Sequence, residues 1–380
     1  MRTTASKQLL SPRFKFDATS PYKPAVSETQ RSLINLVKSK LDSGDYSLKS
    51  CSCPCGADGA DDVVIAEVDR YGLPFNSVLC GSCGTVRIDP YLNDESIADF
   101  YTHTYRRMYG LEVDIEGSYD SYIATQSSYA KKLIHTTSAF ITSESRICEV
   151  GCGAGGGVKF WQEQGYDAVG CDYDVSALEA GRKHGVKHLY DGNLDSLKEG
   201  LGEAKFDLIY LHHVFEHLDD PVQFLQDSRE FLTPQGRLIV IVPDISRIDQ
   251  FGHLPSVGNL LMYLHVAHKY NFTVEGIKRL SQRADYSATK LEPDESMKTP
   301  WSESPELWVQ IMPNAETEAN GNNATKPVSK ATGLEMLKYL QRTEKLYSLG
   351  LCQGQLAHKF STLRSPKKIA SKVKRMLSAK

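Results

Sequence analysis

The stretch that most constrains the fold of this chain is a run of glycines near its middle. Ile147–Val150 has the apolar character of a short buried strand and leads into Gly-Cys-Gly-Ala-Gly-Gly-Gly at 151–157, with a helical segment, Val158–Gln164, behind it. Glycine lets the backbone turn sharply and leaves room for a ligand, and the helix offers free N–H groups at its start. This order predicts a nucleotide-type cofactor at the edge of a parallel sheet.

Two cofactors suit the glycine spacing. Gly151, Gly153 and Gly156 satisfy G-x-G-x-x-G, which is typical of dinucleotide sites. Gly151, Gly153 and Gly155 also follow Glu149 in the form Glu-x-Gly-x-Gly-x-Gly. A dinucleotide brings a pyrophosphate that binds bare N–H groups, whereas S-adenosylmethionine has a sulfonium cation and no phosphate. The acidic residue favours S-adenosylmethionine, and the second form resembles the first motif of class I S-adenosylmethionine-dependent methyltransferases.

Apolar segments beyond the loop predict an alternating fold. Further strands are predicted at Ala168–Asp172, Lys187–Tyr190, Phe206–Leu211, Gly236–Pro243 and Glu306–Met312, with helices at Ala177–His184 and Val222–Leu232. Strands that alternate with helices predict an α/β fold with a doubly wound, mostly parallel, Rossmann-like sheet. The polar stretches 285–306 and 313–333 are predicted to be loops or linkers.

Five of the nine cysteines lie in two groups within 33 residues. Cys51, Cys53 and Cys55 form the first group, Cys80 and Cys83 the second, and a glycine follows each group. Two such knuckles are typical of a structural zinc site, because tetrahedral Zn²⁺ needs four converging soft ligands and each knuckle supplies two. The predicted ligands are Cys53, Cys55, Cys80 and Cys83, with Cys51 as the alternative to Cys53. Free thiols are the competing interpretation.

Charge and hydropathy exclude several classes of protein. The net charge of −3 argues against a general nucleic-acid binder. The sequence has neither an apolar core of signal-peptide length at its N-terminus nor a run of about 18 apolar residues, so no secretory signal or membrane span is predicted. Scattered cysteines do not suggest a secreted disulfide framework. We expect a soluble, cytoplasmic protein of a reducing compartment.

Four motifs together point to a family. They are Cys80-x-x-Cys83-Gly with Asp89-Pro90 and Phe100-Tyr101; Glu149-Val-Gly-Cys-Gly-Ala-Gly; Phe206-Asp-Leu-Ile with Glu216-His217-Leu-Asp-Asp-Pro221; and Phe231-Leu-Thr-Pro-Gln-Gly236. Residues from about 51 to 312 resemble class I S-adenosylmethionine-dependent methyltransferases with an N-terminal zinc-ribbon region. Members of this kind act on sugars, including nucleotide sugars and cell-surface glycans.

The resemblance implies roles for matching residues. The methionine and ribose side of the cofactor would be lined by Glu149, Gly151, Gly153 and Gly155. Asp172 would accept hydrogen bonds from the ribose hydroxyls, Asn193 would face the adenine, and His212 and His213 would lie by the methionine end. Two alternatives stay open, since Asp172 could instead cap the next helix and Asn193 could be a turn residue.

A histidine is the natural base for methyl transfer at neutral pH. In related sugar methyltransferases a Glu-His pair precedes a Phe-Thr/Ser element, and its histidine can act as base. His268 and Phe272-Thr273 match this pattern, but Ala267 replaces the carboxylate. Base, substrate-binding group and structural residue are therefore three open roles for His268. Glu216 and His217 are predicted as a further catalytic pair, with a purely loop-fixing role as the alternative.

Two other segments have competing interpretations. Aromatic residues recur between Ile97 and Tyr129, either as a core face or as a lid over the active site. At the C-terminus nine Lys or Arg and no acidic residue follow Glu344, and Ile369, Val373, Met376 and Leu377 form one apolar face. A basic helix of this kind is either a solvated end helix or a peripheral contact with an anionic membrane.

These features divide the chain into six predicted segments. They are 1–50, a loose leader and short helix; 51–92, the zinc-ribbon-like region; 93–142, an aromatic helical connector; 143–312, the methyltransferase domain with an acceptor-side insertion at about 245–305; 313–333, a linker; and 334–380, a helical basic extension. The hypothesis is O- or C-methylation of a sugar, nucleotide sugar or glycan with S-adenosylmethionine as cofactor and structural Zn²⁺. The alternatives are a methyltransferase for another small molecule, an NAD-dependent oxidoreductase, and a non-catalytic scaffold.

Overall fold

The computed structural model of this chain describes residues 5–16, 26–109, 115–251, 258–294, 297, 304–314 and 331–349, with the backbone alone at 115–118 and 331. Three features singled out in the sequence lie outside these residues. They are His253, Cys352 and the basic segment with its apolar face after residue 349.

Fourteen strands and ten α-helices follow one another in the described residues. The strands are β1 (Ser6–Lys7), β2 (Leu48–Lys49), β3 (Val63–Ala66), β4 (Ser77–Leu79), β5 (Val86–Ile88), β6 (Tyr91–Leu92), β7 (Arg146–Val150), β8 (Asp167–Asp172), β9 (Leu189–Asp191), β10 (Phe206–His212), β11 (Leu232–Pro243), β12 (Tyr270–Asn271), β13 (Tyr286–Leu291) and β14 (Glu306–Pro313). The helices are α1 (Glu28–Ser43), α2 (Asp94–Phe100), α3 (Arg106–Met108), α4 (Ile115–Thr137), α5 (Gly156–Glu163), α6 (Val175–Lys183), α7 (Ser196–Leu201), α8 (Pro221–Ser228), α9 (Val274–Arg283) and α10 (Ala331–Ser348).

The central sheet has seven strands in the order β13-β14-β11-β10-β7-β8-β9. The five strands from β11 to β9 are parallel, and β14 and β13 add to the β11 edge in antiparallel orientation. Apolar clusters cover both faces of this sheet, since alternate residues of β10 and β11 belong to different clusters. The predicted doubly wound, mostly parallel α/β fold is confirmed.

Strand register brings the ends of three parallel strands together. Leu211 of β10 pairs with Val150 of β7, and Val150 pairs with Cys171 of β8. The residues that follow these positions therefore leave the sheet at one edge. They are the glycine loop after β7, Asp172 at the end of β8, and His212 at the end of β10.

A second, smaller sheet has the order β1-β3-β4-β5-β12 and carries the cysteine region. Its last strand comes from residues 270–271, so the segment after the central strands is built into the same sheet as the cysteine region. Helix α10, predicted at 334–347, is confirmed, and its Met336, Leu337 and Leu340 pack in one cluster with Ile65 of β3.

The prediction of a loose leader is wrong for residues 5–16. Strand β1 pairs in parallel with β3, and the side chain of Phe14 is fully buried. Arg13 makes a two-armed ion pair with the buried carboxylate of Glu344 on α10, with nitrogen–oxygen distances of 2.7 and 2.6 Å. One buried aromatic ring and a charged pair to a distant helix hold this otherwise polar segment in place.

A second prediction is wrong in part, because β13 lies in the stretch 285–306 that was predicted to be a loop. Tyr286 is fully buried, and β13 pairs with β14 along its whole length. Ser, Thr and Lys dominate the exposed positions of this edge strand, and their polar character conceals the alternation. No helix among the described residues has the length and hydropathy needed to cross a membrane.

Candidate active site

The glycine loop takes a conformation that only glycine adopts readily. Gly151, Gly153 and Gly155 have φ angles of 76°, 55° and 76°, in the left-handed region. A Cβ atom at Gly151 would lie 2.3 Å from Cγ2 of Val214. The loop therefore needs glycine both for its dihedral angles and for its close packing, and it delivers the chain to the start of α5.

Asp172 lies against the glycine loop. One oxygen of its carboxylate accepts a hydrogen bond from the Gly153 N–H at 2.7 Å, and the other accepts one from the Asp174 N–H at 2.8 Å. The cap of α6 is Asp174, whose side chain accepts from the Ala177 N–H at 3.1 Å. The alternative role of Asp172 as helix cap thus belongs to its neighbour. Burial raises the pKa of Asp172.

Glu149 is buried behind the same loop, beside the start of α5. A Cβ atom on Gly157 would lie 2.5 Å from both Glu149 Oε2 and the Tyr210 hydroxyl, so these three groups are in close contact. Burial raises the pKa of Glu149 to about 8, and the Tyr210 hydroxyl and the Val158 N–H act in the opposite direction. In the protein without cofactor this carboxyl is mostly protonated at neutral pH.

Replacing Glu149 with glutamine is expected to remove a pH dependence of stability. The folded pKa lies above the ordinary value of 4.5, so the folded protein holds a proton that the unfolded chain releases between about pH 4.5 and 8. Stability contributed by this proton is present below pH 4.5 and is lost as the pH rises through 8. Denaturant unfolding at pH 5 to 9 should show E149Q gaining stability relative to wild type, and parallel curves would contradict this.

Asn193 lies in an exposed turn that follows β9. Its side-chain oxygen accepts a hydrogen bond from the Asp195 N–H at 3.0 Å, as is typical of a turn residue. Its predicted contact with adenine stays a prediction.

The two histidines at the end of β10 share one carboxylate. His212 Nε2 lies 3.4 Å and His213 Nε2 lies 3.1 Å from Oε1 of Glu306, the first residue of β14. Although burial alone would raise the pKa of Glu306, the hydrogen bonds from both rings hold it well below its usual range. The Tyr129 ring packs on His212 with centroids 3.9 Å apart. His213 has a φ of 54°, a strained value for a residue with a side chain.

Glu216 stands at the centre of the other predicted catalytic residues. It is fully buried, with Oε1 at 3.6 Å from His213 Nδ1 and at 3.9 Å from His268 Nε2. His217 Nδ1 lies 2.6 Å from the carbonyl oxygen of Ala267. The carboxylate that is missing from position 267 is therefore supplied in space by Glu216.

The aromatic segment covers this histidine group. Between α2 and α3 the chain forms a π-helical turn, Tyr101–Tyr105, a feature often found at functional sites. The Tyr101 hydroxyl lies 3.2 Å from His217 Nδ1, and the rings of Tyr105 and His217 are 6.2 Å apart. Tyr109 contacts His265 through its hydroxyl at 3.1 Å. This arrangement agrees with the lid interpretation more closely than with a simple core face.

Two residues of this site were missed in the sequence. Gln126 of α4 donates to the Cys152 carbonyl at 3.0 Å and accepts from the Gly156 N–H at 2.9 Å, so it clamps the glycine loop. Glu306, described above, was predicted only as the start of a strand. No local pattern marks either residue, because their partners are distant in the chain. A small cavity of about 30 Å³ lies between Gln126, Glu149 and His212.

Four cysteines converge away from this edge of the sheet. Cys53 and Cys83 have sulfurs 3.6 Å apart, Cys55 and Cys80 have sulfurs 3.7 Å apart, and all four lie within 4.8 Å of one another. The alternative ligand Cys51 lies apart, with its sulfur 3.6 Å from the Tyr270 hydroxyl. Tetrahedral zinc with four Zn–S bonds of about 2.3 Å places sulfurs about 3.8 Å apart, so the described thiols fit such an ion.

Comparisons with known proteins agree with this geometry. Residues 122–291 match the family model described as a methyltransferase domain. The chain is 31% identical over 104 residues to a ubiquinone biosynthesis O-methyltransferase of Histophilus somni, covering 25% of this chain and 44% of that protein. It is 26% identical over 95 residues to a malonyl-[acyl-carrier protein] O-methyltransferase of Enterobacter lignolyticus, covering 25% of this chain and 37% of that protein. The chain thus spans less than half the length of these curated relatives.

Solved structures give a similar result. The plantazolicin methyltransferase BpumL in complex with SAH is 16% identical, with a TM-score of 0.42, and the match covers 58% of this chain and 94% of that one. The methyltransferase CcbJ of Streptomyces caelestis is 14% identical, with a TM-score of 0.37, covering 50% of this chain and 90% of that one. Residues 122–291 of this chain are a methyltransferase domain of the class I, S-adenosylmethionine-dependent type.

Proposed function

We propose that this protein transfers a methyl group from S-adenosylmethionine to a sugar or glycan acceptor. The observation that carries the proposal is the convergence of three groups at one edge of the central sheet. The glycine loop with Glu149, the carboxylate of Asp172, and the cluster of histidines around Glu216 all follow the ends of neighbouring parallel strands. Ligands of open α/β sheets bind at this edge.

The described residues fit S-adenosylmethionine on the side of β7 and β8. When bound, this cofactor supplies a methyl group already activated on a sulfonium, so alignment and exclusion of water do much of the catalytic work. Gly153 and Asp172 are positioned to hold its ribose, and Glu149 lies where a carboxylate can face positive charge. Gln126 keeps the loop in one conformation and helps to cover it.

Acceptor-side residues support a polar, hydroxyl-bearing substrate. Tyrosine hydroxyls and imidazoles lie beside Glu216, and ligand sites commonly combine such aromatic walls with a few convergent polar groups. In this proposal Glu216 and His268 act on the acceptor's nucleophile, and Tyr101 and His217 position the ring of the sugar.

Zn²⁺ is proposed as a structural ion held by the four cysteines. Thr273, which caps α9, donates to the Cys83 carbonyl at 2.7 Å, and Arg283 donates to the Pro54 carbonyl at 2.7 Å. The cysteine region thus braces the segment that carries His265 and His268. Its role would be to fix the acceptor side rather than to take part in chemistry.

A second candidate is O-methylation of a different small molecule. It is favoured by the names of the two curated relatives, which refer to ubiquinone biosynthesis and to malonyl-[acyl-carrier protein]. Each shares only about 100 residues with this chain, mostly the part that a cofactor-binding half would occupy, and so neither describes the acceptor side.

Binding and turnover measurements separate these functions. Calorimetry should show binding of S-adenosylhomocysteine and no binding of NAD, and the reverse would replace the methyltransferase with an oxidoreductase. Mass spectrometry would then follow a methyl gain on nucleotide sugars and glycan extracts beside phenolic and acyl-carrier-protein substrates. A gain only on the latter group favours the second candidate, and binding without turnover on either favours a scaffold.

Replacing Asp172 with asparagine is expected to weaken binding of S-adenosylhomocysteine about 10- to 100-fold. Hydrogen bonds to a charged group contribute about 1.5–3 kcal/mol, and the Asp172 carboxylate is proposed to supply them to the ribose while it holds Gly153. Calorimetry measures the effect. Asp174→Asn is the matched control, because asparagine still caps α6 and affinity should not change. Equal affinity in D172N and wild type would remove Asp172 from the cofactor site.

A further inference from the structure

Glu216 is a carboxylate without the hydrogen bonds that its burial requires. Its side chain is 1% exposed, and neither oxygen has a hydrogen-bond partner among the residues that the structure describes. The nearest nitrogens, His213 Nδ1 at 3.6 Å and His268 Nε2 at 3.9 Å, lie beyond hydrogen-bonding distance. An uncompensated buried carboxylate costs several kcal/mol, so a positively charged group is expected beside it.

Hydrogen bonds on the outer side of two histidines fix which nitrogen faces Glu216. A carbonyl oxygen only accepts, so the bond from His217 Nδ1 to the Ala267 carbonyl places the proton on Nδ1 and leaves Nε2 with a lone pair. His213 Nε2 is likewise held at 3.1 Å by the Glu306 carboxylate. Its Nδ1 lone pair then points at a Glu216 oxygen, and two lone pairs facing each other call for a cation between them.

We propose that Glu216, His268 and His217, joined by His213, bind a divalent first-row transition-metal ion. Donor atoms of Glu216, His217 and His268 all lie within 4.8 Å of one another. Ligands bound at about 2.0–2.2 Å lie about 3.0–3.6 Å apart in octahedral or tetrahedral geometry, so small side-chain shifts would close the site. Outer carboxylate and carbonyl partners on ligating histidines are typical of metal centres.

The donor set also separates this site from the cysteine cluster. Imidazole and carboxylate suit Mn²⁺, Fe²⁺ or Zn²⁺, whereas four thiolates select Zn²⁺. Glu306, by contrast, already has partners, since it accepts from both rings at the end of β10 and from Trp308 Nε1 at 3.2 Å. Its place is that of an outer residue that orients His213.

The function of the ion, unlike its binding, rests on the proposed methyltransferase activity. Coordinated to the ion, an acceptor hydroxyl becomes more acidic and loses its proton to water. The resulting alkoxide oxygen forms the bond to the methyl carbon, and the sulfur–carbon bond of the cofactor breaks with its electron pair left on sulfur. The ion would thus hold and activate the acceptor oxygen on the same side as Tyr101.

Metal titration tests the site directly. Protein carrying one equivalent of zinc in the cysteine cluster is titrated with Mn²⁺ and, separately, with Zn²⁺, with calorimetry for both and electron paramagnetic resonance for free Mn²⁺. Wild type should bind one further equivalent of at least one ion. Glu216→Gln should lose at least about 100-fold in affinity, and Glu306→Gln about 10- to 100-fold. Glu163→Gln, an exposed change on α5, should match wild type.

The outcomes distinguish this inference from its neighbours. Thermal unfolding and binding of S-adenosylhomocysteine by Glu216→Gln show that the variant is folded. Equal metal affinity in Glu216→Gln and wild type, or no further equivalent of either ion in wild type, overturns the site and leaves Glu216 paired with protonated histidine. If S-adenosylhomocysteine fails to bind wild type while Mn²⁺ or Zn²⁺ still binds, the proposed function fails and the metal site stands.

Discussion

Replacing Cys80 with serine is expected to release the proposed zinc ion and to unfold the small sheet. The four sulfurs are packed at 3.6–3.7 Å within each pair, a spacing that a central ion stabilises and that bare thiolates oppose. Structural zinc contributes about 10–16 kcal/mol in zinc-finger peptides, comparable to the whole stability of a typical domain. Elemental analysis should show about one zinc fewer per chain, and thermal unfolding should show a lower first transition.

Cys51→Ser is the matched control for this change. Cys51 is buried in the same region, but its sulfur contacts the Tyr270 hydroxyl and lies outside the cluster. It should keep the zinc content of wild type, with only the modest loss of stability expected for one altered buried contact. Equal zinc content in Cys80→Ser and wild type, or no zinc in wild type under metal-replete preparation, would remove the structural ion.

Zinc loss should also reach the acceptor side of the enzyme. Strand β12 pairs with β5 beside the cysteines, and the chain that enters β12 carries His265 and His268. The cofactor loop, in contrast, belongs to the central sheet. We therefore expect Cys80→Ser to lose methyl transfer while it retains more of its affinity for S-adenosylhomocysteine, provided that the central sheet remains folded.

The cofactor side of the site could be predicted because its signal is local. A buried strand, three glycines and a helix follow directly in the chain, and the parallel sheet then brings Asp172 to the same edge without further information. The structure places these groups in contact, as the spacing predicts. Their binding of S-adenosylmethionine remains to be measured.

The acceptor side could be predicted only in part, since its contacts join distant segments. Position 267 lacks the expected carboxylate, and nothing near it in the chain signals that Glu216 fills the same space. Glu306 reaches His213 from 93 residues away, through an antiparallel strand added at the sheet edge. The leader was missed for a related reason, because Phe14 acquires its partners only when α10 folds back.

The largest catalytic effect is expected at Glu216 and His268. Glu216→Gln and His268→Gln should each lower kcat by about 10²–10⁴, because both remove the group that acts on the acceptor's nucleophile, whether by proton transfer or through a bound ion. Binding of S-adenosylhomocysteine should stay within a few-fold of wild type, since neither residue lines the glycine loop. Single-turnover methyl transfer to a responsive acceptor separates this loss of kcat from a change in KM.

His265→Gln gives the matched control, because the rings of His265 and His268 are stacked with centroids 3.7 Å apart and both are enclosed by the same tyrosines. A loss caused by packing alone should affect both variants alike, whereas only His268 faces Glu216. The proposed role predicts a much larger fall in kcat for His268→Gln than for His265→Gln, at similar thermal stability. Equal losses in the two variants would assign His268 a structural role and leave the acceptor to be activated elsewhere along this edge of the sheet.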